Sequence, residues 1–199
     1  YPGTALTQKQ VQALFALLER SRTETGIRNI SMFAVLLGTG LRRSELVALE
    51  LKDFDANKQA LLVRNGKGNK SRTVFLPDWS LNHLKNWLTL RSRQPGYLFC
   101  PVQASGKVKL TTGLSVWLVL RLVKTKLQRI GVENASPHDL RRTFITRLLE
   151  QNVDLNTVRQ MAGHASITTT TIYDKRDMQF MQQAARSLSY GSSNGNSGR

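Results

Sequence analysis

Apolar and polar positions alternate with helical period over most of the chain. Val11, Leu14, Phe15 and Leu18 recur on one face behind Thr7, which predicts an N-capped helix running to about Arg22. A second helix is predicted from about Ile27 to Leu37, stopping at Gly38. After the turn Thr39-Gly40 comes a short helix through Arg43–Leu49. The pattern then changes: Gln59–Arg64 and Ser71–Leu76 read as strands joined by a glycine-rich hairpin tip, Asn65-Gly66-Lys67-Gly68-Asn69-Lys70. Pro77 ends the hairpin, and a helix is expected over about Ser80–Arg93. Tyr97–Cys100 reads as a buried strand, Gln103–Lys109 as a basic polar loop, and about Thr112–Ile130 as a long helix closed by Gly131. Ser136 as N-cap and Pro137 at the first helical position open a helix ending near Asn152, with Asp139 placed for a capping box. Leu155–Ala162 is a helix ended by Gly163, and a short helix from Ser166 or Thr168 is expected to carry Tyr173. Met178, Met181, Ala185 and Leu188 give a terminal helix, Asp177–Ser187, an apolar stripe that needs a groove. The Ser/Gly/Asn-rich stretch Gly191–Arg199 is expected to be a disordered tail. The predicted class is mainly α with a small antiparallel β-sheet (α+β), one domain over 1–190.

Composition narrows the function. The 199 residues suit one domain with a sizeable core, and no apolar run is long enough to span a bilayer. Lys plus Arg number 29 against 13 Asp plus Glu, a net charge of +16, a field that attracts polyanions, with nucleic acid the leading partner. An evenly solvated basic surface would give the same sum. The lone cysteine, Cys100, excludes an internal disulfide and reads as a core residue. Three histidines and one cysteine show no zinc-ligand spacing, and neither a phosphate-binding Walker loop nor a Gly-x-Ser-x-Gly elbow occurs. No acidic cluster suits a two-metal nuclease. The chain opens Tyr1-Pro2-Gly3 without methionine, which we read as a piece of a longer protein.

Four segments hold polar groups where a core would reject them. His138 and Arg141, three apart, share a helix face in the first turns of their helix, where unpaired backbone N–H groups and the positive dipole end attract an anion. Arg42 adds a second guanidinium able to hold two phosphate oxygens. Tyr173 offers a phenol nucleophile, and a hairpin lysine a proton for a leaving alkoxide. Each has a plainer reading: Arg42 with Glu45 as a surface pair, Lys67 and Lys70 as solvated tip charges, Tyr173 as a half-buried tyrosine. His83 has no partner motif. Leu155–Ile172 also reads as a helix-turn-helix that binds DNA without catalysis.

Taken in order, Gly-Thr-Gly-Leu-Arg-Arg-Ser-Glu-Leu around Arg42, Gly-Lys-Gly-Asn-Lys at the hairpin, His-Asp-Leu-Arg at 138–141, Ala-Gly-His at 162–164 and Thr-Ile-Tyr at 171–173 resemble the tyrosine recombinase (phage integrase) family over about Thr4 to Tyr173. Ala162 departs from the leucine many members carry, at a packing position. The resemblance implies the catalytic-domain fold of that family and a site-specific recombinase that cuts and rejoins double-stranded DNA. Tyr173 would form a 3′-phosphotyrosyl bond and release a 5′-hydroxyl. Arg42 and Arg141 would bind the scissile phosphate, with His164 donating to it. Lys67 would be the general acid. His138 would position the phosphate or accept the tyrosine proton. Glu45 would orient a catalytic side chain, and Arg43, Lys70, Arg72 and Arg142 would contact DNA phosphates. No metal or cofactor is implied. The resemblance further implies a homotetramer on DNA, a place in the cytoplasm on the nucleoid, no membrane association, and an N-terminal clamp domain that is absent from this chain. The rival readings are an inactive DNA-binding domain and a related type IB topoisomerase or telomere resolvase.

Overall fold

A computed structural model describes residues 4–64, 71–163 and 175–190. Helix α1 (Gln8–Glu19) starts where Thr7 and Gln10 cap each other, and its Val11, Leu14 and Leu18 are buried. Helix α2 (Glu24–Thr39) is capped by Thr23 and forms the centre of the molecule, with every residue from Ile30 to Thr39 buried. It does not stop at Gly38, as the sequence suggested. Gly38 lies inside the helix against Ser80, and the chain ends the helix at Gly40, which takes the left-handed conformation with φ 65°. Helix α3 (Arg43–Ala48) follows at once.

A three-stranded antiparallel sheet comes next, ordered β1 (Phe54–Asp55), β2 (Ala60–Val63), β3 (Arg72–Phe75), with Val63 opposite Arg72 and Leu61 opposite Val74. The two strands of the predicted hairpin are present, somewhat shorter than expected. Strand β1, too short for any periodicity, went unforeseen. The hairpin tip, with Lys67 and Lys70, lies outside the described residues.

Helix α4 (Asp78–Arg91) packs on α2, where the Ser80 hydroxyl donates to the Ala34 carbonyl at 2.8 Å. Tyr97–Cys100 is not a strand, although Leu98, Phe99 and Cys100 are buried. One isolated bridge, Glu50 to Tyr97, ties it down. Side chains satisfy carbonyls that a neighbouring strand would otherwise have met: Arg91 that of Tyr97, Trp87 that of Leu98 and Arg28 that of Cys100. Helix α5 (Val116–Gln128) begins at Ser115, later than the apolar pattern suggested.

Helix α6 (Pro137–Glu150) opens as predicted: Asp139 accepts from the Ser136 backbone N–H at 2.8 Å and from its hydroxyl at 3.0 Å. Helix α7 (Leu155–Ala162) is capped by Asp154 and closed by Gly163 at φ 65°. Helix α8 (Lys175–Ser187) packs on β3 of its own domain, with Met181, Ala185 and Leu188 buried. The Trp79 indole donates to the Leu188 carbonyl and the Tyr190 hydroxyl to the Leu37 carbonyl, so the end of the described chain is held against α4 and α2. The predicted short helix at 166–173 and the tail 191–199 lie outside the described residues. Among the described residues no helix is long and apolar enough to cross a membrane.

Candidate phosphate-binding site

The left-handed turn at Gly40 positions the site. A Cβ at Gly40 would lie 2.4 Å from the Phe144 ring of α6, so only glycine lets the α2–α3 turn approach that helix. The Gly40 carbonyl then accepts from Arg141 Nη1 at 2.6 Å, which joins the start of α3 to the start of α6. Arg42, Arg43, Ser44, Val116, Pro137, His138 and Arg141 line one cleft of about 280 Å³. Two separated segments thus bring Arg42, His138 and Arg141 together, with His138 exposed in the first turn of α6. Arg43 lines the same cleft and Arg142 lies exposed on α6.

Arg141 is 6% exposed, and its Nη2 has no hydrogen-bond partner among the described residues. Burial first, then the charge of Arg42, pushes its guanidinium down to about 10, against the partial relief of Glu45. Such a group gains from any anion that reaches it.

Glu45 lies beneath the arginines. Its carboxylate accepts from the Arg42 backbone N–H at 2.8 Å, from Arg42 Nη1 at 2.9 Å, and from both terminal nitrogens of Arg72 at 2.9 and 2.8 Å. Burial works against its ionisation, but the bonds and charges of Arg72 and Arg42 outweigh it and hold the carboxyl below its ordinary value. Arg42 Nη2 also donates to the Gly163 carbonyl at 3.2 Å, so the end of α7 joins the cluster.

Arg72, taken from the sequence as a DNA-phosphate contact, points inward beside Val74 and is 6% exposed. Its two terminal nitrogens both donate to Glu45, so the guanidinium is turned toward that carboxylate rather than toward solvent. A strand residue's side is fixed by its alternation with its neighbours, and Arg72 falls on the core side. The carbonyls of Gly40 and Gly163 are contributors that residue-type reasoning missed; the signal was the glycine inside each of the two motifs. Lys67, Lys70, His164 and Tyr173 lie outside the described residues. His83 has no place in the cleft and stacks on Phe15, ring centroids 5.6 Å apart. Tyr190 is buried on the Leu37 carbonyl, and burial raises its phenol well above the ordinary value.

The mainly helical fold with its small sheet and basic cleft suits an integrase-like domain, and the chain belongs to the phage integrase family, which matches residues 4–179. Its fold is that of a tyrosine recombinase catalytic domain. It is 34% identical over 180 residues to the tyrosine recombinase XerA of Pyrococcus furiosus, a match covering 90% of this chain and 60% of XerA. The integrase of mycobacterium phage Brujita superposes with a TM-score of 0.74 at 25% identity, over 96% of this chain and 59% of the integrase. The XerH site-specific recombinase bound to palindromic difH substrate, in a post-cleavage complex, superposes with a TM-score of 0.68 at 27% identity, over 93% of this chain and 53% of XerH. The chain therefore spans little more than half the length of these relatives.

Proposed function

We propose that this chain is the catalytic domain of a site-specific recombinase that cleaves and rejoins double-stranded DNA through Tyr173. The observation that carries this reading is the meeting of Arg42, His138 and Arg141 in one cleft, with a buried Arg141 nitrogen lacking a partner among the described residues. A scissile phosphate in that cleft receives Arg42 and Arg141 on its non-bridging oxygens, where negative charge grows during attack. The Tyr173 oxygen bonds to phosphorus, and the 5′-oxygen leaves with a proton from Lys67. His138 positions the phosphate or takes the tyrosine proton, and His164 donates to the phosphate. Glu45 holds Arg42 in place. Arg43, Lys70 and Arg142 contact neighbouring DNA phosphates. The covalent 3′-phosphotyrosyl bond retains the energy for rejoining, so the chemistry needs no nucleotide or metal. The enzyme works as a homotetramer on DNA, in the cytoplasm on the nucleoid.

The test is a nicked suicide duplex that traps the covalent adduct. The wild-type protein is expected to accumulate adduct and Tyr173→Phe none, with DNA affinity nearly unchanged. An adduct that survives in Tyr173→Phe would move the nucleophile elsewhere.

A further inference from the structure

We propose that Arg72 is a positioning residue for the strand-transfer reaction: it clamps Glu45 and the Gly163 turn, and through them fixes the Arg42 guanidinium. The inference rests on the recombinase reading above.

Arg72 opens β3 and turns its side chain under the cleft. Its fork meets both Glu45 oxygens at 2.9 and 2.8 Å, a bidentate geometry that fixes the carboxylate plane as well as its position. The same two oxygens hold Arg42, one through its backbone N–H and one through its guanidinium. A displacement of Arg72 thus reaches Arg42 across a single carboxylate. Arg72 also supports the end of α7. A Cβ at Gly163 would lie 2.5 Å from Arg72 Cζ, so the glycine lets the turn rest on the guanidinium. From that turn the Gly163 carbonyl accepts from Arg42. Three segments, β3, α3 and the close of α7, therefore meet on one buried cation.

Stability alone is a poor reason for this arrangement. Arg72 Nε is buried without a hydrogen-bond partner among the described residues, a net loss for the fold. Buried ion pairs of this kind are often matched or bettered by apolar residues of similar size. What an apolar residue cannot supply is a fork that orients Glu45. Lysine carries the same charge but makes a point contact, so it separates charge from orientation.

The experiment uses the full-length protein and the nicked suicide duplex, reading single-turnover adduct formation, DNA affinity and melting temperature. Arg72→Lys is expected to slow adduct formation by about 100-fold, as a misplacement of about 1 Å can do, with affinity and melting temperature close to wild type. Combining it with Glu45→Gln should cost little more than the worse single change, because both act along one path. A 5′-bridging phosphorothiolate, whose thiolate leaves without a proton, should restore Lys67→Ala and leave Arg72→Lys slow. If Arg72→Lys does not fold, Glu45→Asp probes the same contact from its partner and should lose rate to a similar degree. Wild-type rates in the folded variant, additive losses, or rescue of Arg72→Lys by the phosphorothiolate would each overturn the assignment. Absence of adduct from the wild-type protein would overturn the recombinase reading as well, which separates the two failures.

Discussion

Replacing Arg141 by methionine should abolish phosphate binding in the cleft while leaving the free domain at least as stable as wild type. The fall of its guanidinium from the ordinary arginine value to about 10 corresponds to roughly 3 kcal/mol of unfavourable interaction for the charged form. The unfolded chain binds that proton more readily than the folded one, so the penalty is fully present below about pH 10 and is relieved as pH rises past it. Against this stands the bond from Arg141 Nη1 to the Gly40 carbonyl at 2.6 Å, a charge-assisted contact worth about 1.5–3 kcal/mol. Methionine keeps most of the buried stem, so packing changes little. The balance lies between about 0 and 1.5 kcal/mol in favour of the variant, a rise of at most about 6 °C in melting temperature for a chain of 199 residues. Melting in sulfate, against chloride at matched ionic strength, gives the second reading. An anion at ten times its dissociation constant adds about 1.4 kcal/mol to the protein that binds it. The wild type should show that gain and Arg141→Met should not. A variant that loses more than about 2 kcal/mol, or that gains from sulfate as much as wild type, would refute the reasoning.

Glu45→Gln should destabilise the domain by about 3 kcal/mol at neutral pH, the lower end of the cost of orphaning a buried partner, since the Arg42 side chain is 37% exposed. Because the Glu45 carboxyl is held below its ordinary value, its contribution is complete above the ordinary carboxylate range and lost as pH falls through the depressed value. Denaturant titrations of wild type and variant should therefore converge in acid; a gap independent of pH would count against the ion pair. Gly40→Ala should cost about 1–2 kcal/mol for the left-handed backbone and about 1–3 kcal/mol for the clash with Phe144, and should weaken sulfate binding by moving Arg141. Normal melting with normal sulfate binding would show that the turn tolerates a side chain.

The helices around the core were legible because their apolar positions recur with one period and their caps are local. Thr7, Ser136 with Pro137, and Gly163 mark ends by chemistry confined to a few neighbouring residues. The motifs around Arg42 and His138–Arg141 were legible too, since residue type and order survive without coordinates. What failed depended on partners far along the chain. Helix α2 passes through Gly38 because α4 packs there, 42 positions on at Ser80. Leu98–Cys100 is buried without belonging to a strand because side chains outside it take up the segment's carbonyls, Arg91 that of Tyr97, Trp87 that of Leu98 and Arg28 that of Cys100. Most telling is Arg72: the family resemblance implied a phosphate contact, yet the register of β3 against β2 turned it inward onto Glu45, 27 positions earlier. Sequence alone determined which candidate groups this protein has for meeting an anion. The tertiary structure decided which of them face the cleft and which lie beneath it, because the side a residue takes is set by strand register and helix packing, and both are properties of the assembled chain.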